Sequence, residues 1–508
     1  MNARKLFAGI AAAATLLGGM ALGATSAQAD DIAGTKVTDD VTFTFNAQDA
    51  KQVADRNLKA YKLADYIKYG SGDDYGVQTA EDVNRDVLST ALNAAGAQNI
   101  PVTDDLMAWA LSKTNILSVD SAGTDGAWSN SASRKFVESL KKNTDKLGVP
   151  KNVALAIDSA NARKATATLE AGVYLFVDAG VTGSNTAATP TIAILVGSGT
   201  VKNGVLTMNG GATVDIKNQV TTVSKKVDGQ DSITASEGQT VTYTITSKVP
   251  QDMQYYDSYD YTYVDTPSAG QTVDAGSFTV TVGDTPLNKD ADYTVTKNAN
   301  GTYAIAITSI KKQTAGANIT VTYRATVTES QAAGDKVVSN TVVVSAQGAK
   351  AEASTSITNG QFSFTKTDAQ GNPLAGAEFS IAGATNGPAT PTTHTATSGK
   401  DGKVTFSGLA DGAYTVTENR VPTDFNNSLK ASFTVTIKDG KAISFAGTDI
   451  WGLSPKNGTT DYKVKNVKSV TQLPLTGAAG TTLFAIAAML VTGAGVAAAI
   501  KSRKHAVA

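Results

Sequence analysis

No cysteine occurs among the 508 residues. That excludes disulfides, cysteine nucleophiles and Cys/His zinc clusters. Histidine is almost as scarce: there are two, and His394 is the only one ahead of the C-terminal tail. A Ser-His-Asp triad would have to rest on that one residue, in a Pro/Thr-rich loop, so His394 reads as an exposed loop residue. Turnover of an external substrate, a cofactor and a metal centre are therefore not expected. Charge of one sign is lacking too, since 44 Lys plus Arg stand against 45 Asp plus Glu. Nucleic acid and anionic membrane surfaces attract a basic footprint that this chain does not have. The length exceeds what one hydrophobic core usually supports and suggests roughly three domains at about 150 residues each.

Long apolar runs lie only at the two ends. The first, "MNARKLFAGIAAAATLLGGMALGATSAQAD", sets Arg4 and Lys5 before an apolar stretch that exits through Ala27-Gln28-Ala29. Residues 1–29 read as a secretory signal peptide, so the mature chain starts near Asp30, outside the cytoplasm. Disulfides are permitted there, and their absence calls for some other covalent device. The second run, Gly480 to Ile500, is long enough to span a bilayer and is followed by Lys501, Arg503 and Lys504, which the positive-inside rule places in the cytoplasm.

Ahead of that run stands Leu473-Pro474-Leu475-Thr476-Gly477. Pro474 fixes φ and keeps the site extended, so a protease-like pocket can grip it outside the membrane. With the apolar span and basic tail, residues 473–508 resemble the tripartite sorting signal of sortase substrates in Gram-positive bacteria. The resemblance implies cleavage between Thr476 and Gly477, transfer of the threonyl carbonyl to an amine, and covalent attachment at the cell wall after a transient membrane stage.

Between the ends the pattern changes along the chain. In residues 30–220, "AKQVADRNLKAYKLADYIKY", "AEDVNRDVLSTALNAAG" and "TDDLMAWALSKTN" carry apolar residues at helical spacing, with helix starts expected at Thr79-Ala80-Glu81-Asp82 and Thr103-Asp104-Asp105. After Pro150 short Val/Ile/Thr-rich runs separated by Gly or Asn predict strands. This first region reads as a β-domain with helical insertions. Residues 221–350 and 351–470 alternate throughout, with Gly/Asn/Asp turns, and predict two antiparallel sandwiches like immunoglobulin folds. The fold class is mainly β, with domains joined end to end. In Gln251 to Val264, "QDMQYYDSYDYTYV", exposed tyrosines would offer a sugar or host protein contact area; packing at a domain junction is the simpler account.

Alternation also turns polar groups inward. Phe362, Phe364 and Lys366 share one face of a strand; so do Tyr414, Val416 and Glu418, and Tyr462, Val464 and Asn466. Such groups in an apolar interior are costly unless they interact. The "K-x-D…G-x-P-L-x-G-A-x-F" opening and "Y-x-V-x-E…P" box around them resemble the collagen-adhesin B-type (CnaB) domain of Gram-positive surface proteins. That resemblance implies an intramolecular isopeptide bond from Lys366 to Asn466 with Glu418 as catalyst, Glu378 being the less favoured carboxylate. Burial suits the chemistry, because it lowers a lysine pKa and raises a glutamate pKa. The middle region repeats the pattern: Lys225 with Val223 and Val227, Asn340 with Val342 and Val344, and Asp265 in "YTYVDTPSAG", which resembles the aspartate that replaces glutamate in the middle domain of related pilins. Lys225 is preferred to Lys226 by alternation alone, and a one-residue bulge would reverse the choice.

Taken together the chain resembles the backbone (major) pilin of sortase-assembled pili. That resemblance implies head-to-tail polymerisation with other copies of itself, pilin-specific and housekeeping sortases, peptidoglycan, and accessory pilins or a host receptor as partners. It also requires an acceptor lysine at the end of the first region. In "GGATVDIKNQVTTVSKKV" Lys217-Asn218 matches the Lys-Asn of the family's Tyr-Pro-Lys-Asn, and Asp215-Ile216 departs from Tyr-Pro. Lys217 is the choice, with Lys202 in "TVKNGV" as competitor. A monomeric wall-anchored adhesin with a β-domain stalk is the alternative.

Overall fold

The computed structural model describes residues 34–473, apart from 70–73, 103–104, 113–116, 118–131, 182–185, 203–204, 209–210, 329–336, 386 and 392–393. The signal peptide, the apolar tail, and Pro474, Leu475, Thr476 and Gly477 lie outside these residues. Among the described residues no helix is long and apolar enough to cross a membrane. Apolar side chains gather into three separate clusters along the chain. Principal strands are numbered below in chain order.

The first cluster lies between two sheets. One is built on β1 (Asp40–Asn46), the other on β2 (Arg56–Tyr69). β2 pairs along one edge with β3 (Asp74–Thr79) and β4 (Lys151–Ala154). β1 pairs with β5 (Asn161–Glu170), and β2 pairs on its other edge with β6 (Val173–Val181). β7 (Gly211–Asp215) runs parallel to β1. Phe43, Phe45, Tyr174 and Phe176 interlock between the sheets at 5.2–5.8 Å, mostly edge to face. Helices α1 (Arg85–Ala94), α2 (Leu106–Ser112) and α3 (Ala132–Lys142) fill the excursion between β3 and β4, and Leu88, Leu92, Phe136 and Leu140 of α1 and α3 join the same core.

Two expectations are corrected here. The helical spacing of residues 50–69 belongs to a single 3-10 turn, Ala50–Gln52, and the fourteen-residue strand β2. β2 is covered on both faces from Leu63 to Ile67, and its register slips between Lys62 and Ala64. A strand buried on both sides loses its alternation, and a bulge shifts its parity, so the apolar positions imitate a helix. The first helix starts later than Thr79–Asp82: Asn84 caps α1 by accepting from the amides of Asp86 and Val87. At α2 the carboxylate of Asp105 accepts from the amide of Ala108 at 2.8 Å and from Thr79, while Thr103 and Asp104 lie outside the described residues.

The second cluster sits between two facing sheets. One contains β8 (Val223–Val227), β9 (Thr240–Lys248) and β11 (Asn318–Val327); the other contains β10 (Tyr261–Pro267), β12 (Val338–Ala346) and β13 (Ala349–Thr358). β13 hydrogen-bonds along β12 as far as the Val338–Ile357 pair, and Ile357 belongs to the second core. The junction with the third unit therefore falls at Asn359 rather than at 350/351.

The third unit forms one continuous hydrogen-bonded path. It includes β14 (Gly360–Thr367), β15 (Glu378–Gly383), β16 (Lys403–Leu409), β17 (Gly412–Arg420), β18 (Ser432–Lys438), β19 (Lys441–Gly447) and β20 (Lys463–Lys465). β20 lies parallel to β14, with Val464 opposite Lys366, so the first and last strands are neighbours.

Direct contacts join the units. At the first junction the buried Asp252 accepts from the Thr189 hydroxyl at 2.6 Å and the Tyr259 hydroxyl at 2.9 Å, and Arg134 stacks on Tyr255 at 5.2 Å. The tyrosine-rich segment is thus occupied in packing, with Tyr259, Tyr261 and Tyr263 buried. At the second junction Ser236 Oγ accepts from the Ala410 amide and meets the Tyr414 hydroxyl, both at 3.1 Å.

Candidate functional site

Two buried lysines define two sites of related design. In the middle unit β8 points Lys225 inward and Lys226 outward: the Lys225 side chain is 0% exposed, whereas Lys226 is exposed and paired with Asp231 at 2.8 Å. No bulge interrupts the pairing of β8 with β9, so alternation holds. From the facing sheet, β10 and β12 present Asp265 and Asn340 two residues out of register, hence on the same face.

Lys225 Nζ donates to Asp265 Oδ1 and, at 2.9 Å, to Asn340 Oδ1. Burial pushes the Lys225 pKa below its ordinary value, and the Asp265 carboxylate opposes that shift only in part. A fourth group, unforeseen in the sequence, completes the site. The Tyr323 hydroxyl accepts from Lys225 Nζ at 2.9 Å and from Asn340 Nδ2 at 2.7 Å, and donates to Asp265 Oδ2 at 2.7 Å. Alternation along β11 would have turned Tyr323 inward with Ile319 and Val321, but only the strand order sets it opposite Lys225.

In the third unit Lys366, Glu418 and Asn466 converge from β14, β17 and the residue after β20. Lys366 and Glu418 are both 0% exposed in their side chains, with Nζ 3.3 Å from Oε1. Glu418 Oε2 accepts from Asn466 Nδ2 and from the Ala431 amide, both at 3.1 Å. Lys366 also lies over the Phe379 ring at 5.5 Å. Burial lowers the Lys366 pKa to about 8 against the raising effect of Glu418, and burial raises that of Glu418 against the lowering effect of Lys366. Lys366 Nζ, Glu418 Oε1 and Asn466 Oδ1 have no hydrogen-bond partner among the described residues. Glu378 is half-exposed and faces Arg420 at 3.8 Å.

The lysines at the end of the first unit are placed differently. Lys217 is half-buried just after β7, its amide donating to Thr191 Oγ1 at 3.3 Å and its carbonyl accepting from the Ile192 amide at 3.2 Å. The neighbouring Asn218 is buried and donates to the carbonyls of Gln52 and Thr189 at 3.0 and 3.1 Å. Beneath it Arg56 pairs with Asp178 and donates to the Thr189 carbonyl at 3.1 Å. Lys202 ends the strand Gly199–Lys202, opposite Val205. His394 is exposed, and its carbonyl accepts from the Ile381 amide at 2.9 Å. Of the sorting sequence only Leu473 is described, packed on the third core.

The described residues thus form three β-rich units, two of which hold a buried group of lysine, carboxylate and asparagine. Residues 360–450 match the SpaA prealbumin-like fold domain, and residues 465–506 match the LPXTG cell wall anchor motif. Among curated proteins none is a sequence match. The fold is similar to that of the T6 backbone pilin of serotype M6 Streptococcus pyogenes, with a TM-score of 0.53 and 16% identity over 79% of this chain and 81% of that one. It is also similar to the full-length major pilin SpaD from Corynebacterium diphtheriae, with a TM-score of 0.50 and 15% identity over 85% of this chain and 98% of that one. The anchor motif marks a secreted, cell-wall-anchored surface protein, and the fold is like that of these pilins.

Proposed function

We propose that the chain is the repeating subunit of a covalent surface pilus, stiffened by isopeptide bonds from Lys225 to Asn340 and from Lys366 to Asn466. The observation that carries this reading is the pair of buried lysine, carboxylate and asparagine groups. An ammonium and a carboxylate held out of water at 0% exposure, in the third unit with unsatisfied atoms as well, are expensive, and condensation with loss of ammonia removes the charge on lysine while replacing it with an amide. Asp265 and Glu418 take the ammonium proton, and Glu418 also accepts from the amide nitrogen of Asn466. The depressed lysine pKa supports a free amine as nucleophile.

Polymerisation follows from the anchor motif. A sortase cysteine captures the Thr476 carbonyl and releases Gly477, and the Lys217 amine of another subunit resolves the acyl-enzyme. This head-to-tail contact does not close on itself and yields a fibre, whose last subunit is passed to peptidoglycan. The chain itself is a substrate of sortase and turns over nothing external.

An immunoblot of cell-wall extracts boiled in detergent tests the reading against Lys217→Ala. A high-mass ladder that collapses to monomer in the variant is the expected result. A single band in both makes the chain a monomeric wall-anchored adhesin, and an unchanged ladder moves the acceptor to Lys202.

A further inference from the structure

The two buried sites differ in how the asparagine nitrogen is held, and the difference has chemical meaning. Replacing ammonia requires two proton movements: the attacking nitrogen must lose a proton, and the departing nitrogen must gain one before it can leave. In the third unit one glutamate faces both nitrogens, with Oε1 on Lys366 Nζ at 3.3 Å and Oε2 on Asn466 Nδ2 at 3.1 Å. In the middle unit the carboxylate side chain is one methylene shorter. Asp265 meets Lys225 through Oδ1, and its Oδ2 is taken by Tyr323. Asn340 Nδ2 donates instead to the Tyr323 hydroxyl, which also holds Lys225 Nζ.

Resting on the reading that Lys225 and Asn340 are joined, we infer that Tyr323 is a catalytic proton relay in the middle unit, carrying a proton from the attacking Lys225 nitrogen to the departing Asn340 nitrogen. The Lys225 ammonium first gives a proton to Asp265, leaving a free amine and a neutral carboxyl group. The amine attacks Asn340 Cγ; the new C–N bond forms as the carbonyl π electrons move to Oδ1. Tyr323, no longer held by a carboxylate charge, turns its O–H toward Nδ2, which acquires a lone pair when Cγ becomes tetrahedral. It donates that proton to Nδ2 and takes one from Nζ, so the hydroxyl is regenerated. The Cγ–Nδ2 bond then breaks, the electrons on Oδ1 reform the carbonyl, and ammonia departs with Asp265 still protonated. Protons and charge balance without any further reactant.

The ring of Tyr323 is fixed for this task. It stacks between Tyr243 at 5.2 Å and Phe278 at 4.4 Å, so Tyr323→Phe removes the hydroxyl and keeps the packing. The test uses the full chain made by cell-free translation, sampled after synthesis is stopped. Mass spectrometry of proteolytic digests measures the cross-linked peptide joining Lys225 to Asn340, and the Lys366 to Asn466 peptide from the same samples serves as an internal control. Tyr323→Phe is expected to lengthen the half-time of the middle bond by about 100-fold or more while the control peptide is unaffected. A middle bond that forms at the parent rate overturns the relay. A parent chain that never yields the middle peptide instead overturns the reading beneath it. Should the phenylalanine variant fail to fold, 3-fluorotyrosine at position 323 keeps the hydroxyl and makes it more acidic. A changed rate then supports the relay, and an unchanged rate overturns it.

Discussion

A lysine that sits at 0% exposure beside a carboxylate is a conflict between charge and solvent, and Lys366 shows how the fold uses it. Its pKa of about 8 leaves roughly a tenth of the side chain as free amine at pH 7, against well under a thousandth for an ordinary lysine. In Asn466→Ala the proposed bond cannot close, so Lys366 stays titratable. Its folded-state value lies below the ordinary lysine value of 10.5, so the unfolded chain binds more protons between about pH 8 and 10.5 and stability rises with pH across that window. Below about 8 the burial penalty is felt in full. Denaturant unfolding of Asn466→Ala, compared with the Lys366→Met/Asn466→Ala double variant, should show a gap that narrows over this window by the order of 3 kcal/mol. A constant gap would mean that Lys366 titrates normally.

At the scale of elements, the proposed bond of the third unit ties strands that the hydrogen-bond pattern already makes neighbours, whereas that of the middle unit crosses between facing sheets. β14 and β20 lie side by side, and a link from Lys366 to Asn466 closes most of the third unit into one loop. By analogy with disulfides, a covalent closure of about 100 residues contributes about 4 to 5 kcal/mol. Lys366→Ala, Glu418→Ala and Asn466→Ala should therefore each lower the melting temperature of the third unit by more than about 10 °C and expose it to trypsin, read by calorimetry and timed digestion. The junction of the middle and third units depends on smaller terms. Ser236→Ala deprives the Ala410 amide of its acceptor and the Tyr414 hydroxyl of a partner, at a cost of about 1–3 kcal/mol. Limited proteolysis should then cut near Asn359 sooner than in the parent, with the bonds in both units still formed.

Across the whole molecule, the proposed linkage sets the path of tension. Force enters a subunit at Lys217 and leaves at Thr476, so the first unit, residues 34–216, hangs beside the line of load. The middle and third units lie on it, and among the described residues these are the two with buried lysine sites. Pulling single chains between Lys217 and residue 473 should therefore show no long extension from either unit. Lys225→Ala and Lys366→Ala should each release one step of about 350–400 Å, the extended length of the loop no longer bypassed. Steps of that length in the parent chain would rule out load-bearing bonds.

Much of this was legible in the chain itself. A period of two turned Lys225, Lys366, Glu418 and Asn466 inward, because strand geometry alone decides which residues share a face. The sorting sequence was equally local, since a peptide read by an enzyme in extended form needs no fold to be recognised. What depended on non-local pairing was hidden. β2 imitated a helix because two covered faces and a register slip erase alternation, and the boundary moved to Asn359 because β13 completes the middle sheet. Tyr323 could be seen to face inward but not toward what. The sequence by itself determined which side chains are buried, through the pleat; only the tertiary structure decided which of them meet, because strand order and the spacing of facing sheets bring together residues that lie about 100 positions apart.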